Sequence, residues 1–138
     1  MLDYNDLVVS VRDAEVLAPL LGGRYRHSPN RSDSDGADAL ADALVDARVV
    51  AHDRLPADRV SMNTEVTYRE EPGGACRTVV LVHPSEAAPS RGLVSVLSPV
   101  GRALLGRQAG SVSSISVPGR SLSIRVLEVE PAAALERS

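Results

Sequence analysis

Three aspartates, Asp33, Asp35 and Asp38, crowd one polar stretch, and Asp35-Gly36-Ala37-Asp38 sets two carboxylates three residues apart. Such a pair suits a divalent ion, because Mg²⁺ is commonly held by only one or two protein carboxylates, with water and phosphate oxygens completing its shell. A helix starting here accounts for both residues without any ligand, Asp35 as N-cap and Asp38 near the positive end of the helix dipole. The spacing favours capping and leaves the ion as the alternative. Other candidates carry less. His27, His52 and His83 have no ligand-like spacing, and with Cys76 as the single cysteine no zinc pattern forms. Ser85 follows His83 by two residues, but a nucleophile and its base are defined in space, and a satisfied surface turn explains the pair without catalysis. The glycines spell neither G-x-G-x-x-G nor a P-loop.

Absences exclude more than these motifs include. The 138 residues contain no lysine, which rules out a Walker A loop, a Schiff-base lysine and a lysine general base. They contain no Phe or Trp, so Tyr4, Tyr25 and Tyr68 are the only aromatics for stacking a base, and sequence-reading nucleic-acid modules are disfavoured. Nothing here calls for a cofactor, a resident metal or catalysis by the chain itself. The start, Met1 to Asp6, is acidic where a secretory signal would be basic and then apolar, and no run of about 18 apolar residues occurs, so a soluble, cytoplasmic protein is expected. The lone Cys76 fits a reducing compartment and is expected as a small core residue. The net charge of −3 divides unevenly, with all ten aspartates at or before Asp58. Residues 1–58 carry about −5 and residues 59–138 about +2, which suggests two modules with different surfaces.

The elements that position these residues change texture at the same boundary. Ser10-Val11-Arg12-Asp13 has the form of a helix cap, and Val11, Ala14, Leu17, Ala18 and Leu21 make an apolar stripe that Pro19 kinks or shortens and Gly22-Gly23 ends. Arg24 to Gly36 reads as a loop or helix tip. A second helix is predicted from Ala37 to Arg54, with an alanine-rich stripe suited to an antiparallel hairpin against the first. Leu55-Pro56-Ala57-Asp58 closes this front module. Strands follow: Glu65–Arg69, a turn at Glu71-Pro72-Gly73-Gly74, and Thr78–Val82, continuously apolar enough to predict a central strand covered on both faces. Leu93–Leu97, Val112–Val117 and Leu122–Val129 complete about five strands, the last pair turning at Pro118-Gly119-Arg120 with one dry face. The tail from Pro131 is expected to be loose.

The most punctuated stretch is Val96 to Gly110. Ser98 is placed to cap a short helix with Pro99 at its first position, and Gly106 and Gly110 supply the freedom to stop and turn into the next strand. Spacing alone favours a structural corner, with a docking surface as the alternative.

The helical front half, Val60-Ser61-Met62-Asn63-Thr64, Leu81-Val82-His83-Pro84, and the run Ser98-Pro99-x-Gly101-x-Ala103-Leu104-x-Gly106 with Gly110 together resemble the Rnk branch of the GreA/GreB transcription-factor family, regulators linked by name to nucleoside diphosphate kinase. Met62-Asn63 before the strand is what favours that branch. The resemblance implies an α+β fold in which 59–138 is an FKBP-like antiparallel β domain with one short helix and 1–58 is a short, coiled-coil-like helical hairpin. It implies docking on RNA polymerase near the secondary channel through Ser98, Pro99, Val100 and Gly101, with Leu104 supporting them from below. Prolyl isomerase activity is not expected, since its pocket is lined with aromatics this chain lacks. Gre factors present an Asp-x-x-Glu pair on a longer coiled coil; here the arm is short and the nearest match is Asp35-x-x-Asp38. Binding without efficient cleavage stimulation, in competition with longer factors, is therefore the leading expectation. Two alternatives stay open: a Gre-like cleavage factor whose Asp33, Asp35 and Asp38 assist the polymerase Mg²⁺ site, and a module acting directly on nucleoside diphosphate kinase.

Overall fold

The apolar run Leu7-Val8-Val9 is buried and continues into a strand, β1 (Val8–Ser10). Ser10 turns the chain into helix α1 (Val11–Gly22), its Oγ accepting the Asp13 backbone N–H at 3.0 Å, as the cap spacing predicts. The helix runs through Pro19, which lies on its exposed side. The computed structural model describes residues 7–22, 31–45, 47–71, 73–117 and 119–131, without side-chain detail at 22, 31–35, 115–117, 120 and 131. Most of the predicted tip loop, Pro118 and the tail beyond Pro131 lie outside the described residues.

Helix α2 (Arg31–Leu44) starts and ends earlier than the predicted Ala37–Arg54. Asp35 is therefore inside the helix and not its N-cap. Beyond it the chain forms strand β2 (Arg48–Val50), parallel to β1, with the Leu7 carbonyl accepting the Arg48 N–H at 2.8 Å. The physical reason is local and tertiary at once. Val49-Val50 is β-branched and stiff, and β1 offers it a partner that a count of alanines at helical spacing does not weigh. His52–Arg54 is a single 3-10 turn.

The back half is a five-stranded sheet of β3 (Thr64–Glu71), β4 (Cys76–Val82), β5 (Leu93–Ser95), β6 (Val112–Val117) and β7 (Arg120–Pro131), in the order β5-β4-β3-β7-β6. Pairing is antiparallel except between β4 and β5. The central strand is thus β3, and β4, expected at the centre with both faces covered, lies second from the edge. Val79, Leu81 and Val82 are buried, whereas Cys76, Arg77 and Thr78 are exposed. Cys76 is a surface residue opposite Arg69, not the core residue expected. The sheet's outer face stays wet because polar groups there satisfy one another. Thr67 and Thr78 hydroxyls meet at 3.0 Å, and the Glu71 carboxylate takes Arg69 at 2.8 Å and Arg125 at 2.9 Å. Strand β7 buries Leu122, Ile124 and Val126 as alternation predicts, then bulges: Tyr68 pairs with Val126 but Thr67 with Glu128, leaving Leu127 unopposed and returning Val129 to the inner side.

A short helix, α3 (Pro99–Leu104), packs against β5 and β6, and α2 packs against both α1 and α3. Leu17, Leu20, Ala37 and Leu40 from the front half join Val60, Leu81, Leu97, Leu104 and Ile124 in one apolar cluster. A buried carboxylate joins the halves. Asp13, 6% exposed, accepts the Met62 backbone N–H at 3.0 Å through Oδ2. Burial pushes its pKa above the ordinary 3.8, against the Met62 hydrogen bond and the charges of His52 and Arg12. Gly106 makes a second joint, its carbonyl accepting the Val8 N–H at 3.2 Å and the Arg59 guanidinium at 3.0 Å. Among the described residues no helix is long and apolar enough to cross a membrane.

Candidate functional site

Strand β5 ends at Ser95, and the next seven residues build a rigid corner. Val96 N–H still bonds the Val82 carbonyl at 3.0 Å, as if continuing the strand. Ser95 then turns the chain, its Oγ accepting the Leu97 N–H at 3.0 Å and its carbonyl accepting both the Ser98 N–H at 3.0 Å and the Ser98 Oγ–H at 2.7 Å. Ser98 caps α3, its Oγ accepting the Gly101 N–H at 3.1 Å, and Pro99 takes the first helical position, where a missing N–H costs nothing. Arg102 reaches back to donate to the Leu97 carbonyl at 2.9 Å. The helix ends where the sequence places its stop, with Gly106 at φ 78° and Gly110 at φ 93°.

Two glycines make the corner possible. A Cβ at Gly101 would stand 2.1 Å from the Ser95 carbonyl oxygen, and one at Gly36 on α2 would stand 2.3 Å from the Leu97 carbonyl oxygen. Gly101 is buried and Leu104 is fully buried, so both hold the corner from beneath. Ser98, Pro99 and Val100 are half-exposed and line an open groove of about 420 Å³ between the corner and the inner face of the sheet. Its other walls include Val94, Pro89 and Leu122, with Tyr68 and Glu70 of β3. Burial pushes the Tyr68 phenol up, with Arg77 opposing and Glu70 adding to the rise. Of the five docking residues the resemblance implies, the structure thus brings Ser98, Pro99 and Val100 to one surface and places Gly101 and Leu104 behind it.

The other sequence candidates are scattered. Asp38 is exposed on α2, and the Asp33 and Asp35 side chains lie outside what the structure describes. His83 Nδ1 accepts the Ser85 N–H at 3.1 Å and contacts its Oγ at 2.8 Å, a local cap on an exposed turn. Among the described residues no three His, Cys, Asp or Glu side chains cluster closely enough to hold a metal ion. Sequence reading missed Tyr68, Glu70 and Leu122 as members of one surface. A signal existed: Val66, Tyr68 and Glu70 alternate onto the inner face, and an acid in that phase is out of place in a strand.

The mixed α+β body, mostly sheet with few helices, has a GreA/GreB-like fold. The family model for the transcription elongation factor GreA/GreB C-terminal domain matches residues 55–131, and the chain belongs to that family. The regulator of nucleoside diphosphate kinase of Escherichia coli K12 is 37% identical over 101 residues, covering 71% of this chain and 74% of that protein. Transcription elongation factor GreA of Desulfovibrio desulfuricans is 35% identical over 82 residues, and the chain spans about half of its length, 51%. A solved GreA/GreB elongation factor from Nitrosomonas europaea matches with a TM-score of 0.69 at 33% identity, covering 91% of this chain and 98% of that one.

Proposed function

We propose that the protein is a non-enzymatic, RNA polymerase-binding transcription regulator of the Rnk type, acting in the cytoplasm and docking near the secondary channel. Residues 59–138 are the docking module, an FKBP-like β domain, and residues 1–58, whose two helices lie in sequence between β1 and β2, form a short arm directed at the channel. The observation that carries this reading is the rigid corner that holds Pro99 and Val100, half-exposed, over an apolar groove. A preformed apolar surface loses little entropy on binding, which is what a docking surface needs. Family membership favours a partner in the transcription apparatus.

At about 1.5 Å per residue the 14 residues of α2 span roughly 21 Å. Much of that length is engaged by the body, since Gly36, Ala37 and Leu40 are buried. Little reach remains for presenting Asp33, Asp35 and Asp38 to a distant active centre, so the protein competes with longer Gre factors and does not replace them. A link to nucleoside diphosphate kinase rests on the printed name of one relative. Purified protein is expected to bind core RNA polymerase, and Pro99→Ala to weaken binding with the fold intact by circular dichroism. Unchanged affinity in Pro99→Ala and in a Val100→Asp variant would remove the docking claim. Transcript shortening in stalled complexes, abolished by Asp35→Ala and Asp38→Ala, would instead establish the cleavage-factor alternative.

A further inference from the structure

We propose that Glu70 selects the partner: the groove takes a protein segment that presents an apolar side chain beside a lysine or arginine, whose cation meets the Glu70 carboxylate. This rests on the groove being the docking surface.

The walls define the first half of that ligand. Val94, Pro99, Val100 and Leu122 are apolar, and the two serines beside them are already committed. Ser95 Oγ accepts the Leu97 N–H and Ser98 Oγ serves the Gly101 N–H and the Ser95 carbonyl. A polar ligand would therefore find few groups to replace its water, whereas an apolar side chain gains by leaving it.

Glu70 defines the second half. Among the described residues it is the one carboxylate lining the groove, in the inward phase of β3 with Ile124 as its cross-strand neighbour. The contrast with the next residue is sharp. Glu71, on the outer face, is held by Arg69 and Arg125 at 2.8 and 2.9 Å, while among the described residues no ion pair or side-chain hydrogen bond engages Glu70. The cation on the neighbouring strand, Arg77, is exposed and paired in register with Tyr68. A valine or threonine has the higher strand propensity here, so the half-exposed carboxylate costs the strand something that the isolated fold does not offset with a partner. A bound ligand that supplies a cation recovers it through a charge-assisted hydrogen bond of about 2.7–2.9 Å. A neutral or acidic segment laid over the groove would bury the carboxylate unpaired, which turns the same residue into a filter against wrong partners.

The test is binding of core RNA polymerase to the full chain at about 50 mM and about 300 mM salt. Glu70→Gln should weaken binding about tenfold at the lower salt and flatten the salt dependence, with Glu70→Arg weaker still. Pro99→Ala combined with Val100→Thr, and separately Val100→Asp, report on the apolar half, each checked by thermal melting. If these weaken binding while Glu70→Gln and Glu70→Arg bind like the parent protein with the same salt slope, the assignment of Glu70 is overturned and the docking surface stands. If neither set changes affinity, the docking surface itself falls. Loss confined to the Glu70 variants would overturn the joint site, because it would separate the cation contact from the groove.

Discussion

The buried Asp13 carboxylate makes a demanding prediction, because its hydrogen bond and its charge act in opposite directions. It accepts the Met62 N–H at 3.0 Å and is 6% exposed. Asp13→Ala removes that acceptor and leaves Met62 N–H buried without a partner, a loss of about 2 kcal/mol, or about 6 °C in melting temperature for a domain of this size. Asp13→Asn keeps a side-chain oxygen for Met62 while removing a charge that burial disfavours, so at neutral pH it should fall within about 1 kcal/mol of the parent protein. The pH dependence has a definite sign. The folded pKa of Asp13 lies above the ordinary 3.8, chiefly through burial. A group raised in this way contributes stability that is fully present below its unfolded pKa and is lost as pH rises through the folded value. The stability of the parent protein relative to Asp13→Asn should therefore grow as the pH is lowered from neutrality toward 3.8. Urea denaturation of the three proteins across that range measures both effects. Asp13→Asn as damaging as Asp13→Ala, or a gap that shrinks on acidification, would refute the reasoning, since either would mean that the charge itself holds the joint.

Other consequences are simpler to read. Gly36→Ala puts a Cβ 2.3 Å from the Leu97 carbonyl oxygen, so α2 must shift; a loss of about 2–3 kcal/mol in thermal or urea unfolding is expected. Neutral behaviour would show that the helix does not approach the corner so closely. Glu71 has its pKa lowered, first by the Arg125 hydrogen bond and then by that of Arg69. Its contribution is present above its unfolded pKa and lost as pH falls through the folded one. Glu71→Gln should accordingly flatten the acid limb of the stability curve, and an unchanged acid limb would show the cluster to be without energetic consequence.

The back half was largely legible in sequence, and the front half was not. The corner from Ser98 to Gly110 was readable because each residue has a local reason: a cap, a proline that needs no donor, glycines at φ 78° and 93°. Strand β7 was readable because alternation is a property of one face. What failed depended on partners distant in sequence. Arg48–Val50 became a strand because Val8–Ser10 lies beside it, across both helices. Cys76 is exposed because the outer face carries its own polar network, something only the register of Arg69 against Cys76 settles. The groove was half legible. Pro99 and Val100 follow from the corner, but Tyr68 and Glu70 join them only once β3 is the central strand and its inner face is turned toward α3.

The Leu97 carbonyl connects these observations. It is approached from one side by the backbone of α2 at Gly36 and from the other by the Arg102 guanidinium at 2.9 Å. Nothing larger than glycine fits on the first side, and on the second the arginine belongs to the helix that carries Pro99 and Val100. A displacement of α2 therefore moves Leu97, and Leu97 lies directly before the Ser98 cap that fixes the groove wall. The front helices are in this way part of what shapes the proposed docking groove, although none of their described residues lines it. Interiors packed this tightly pass strain on and do not absorb it. Variants in the front half that loosen the α2 contact are thus expected to weaken docking through the corner, before any question of what the helix tips reach.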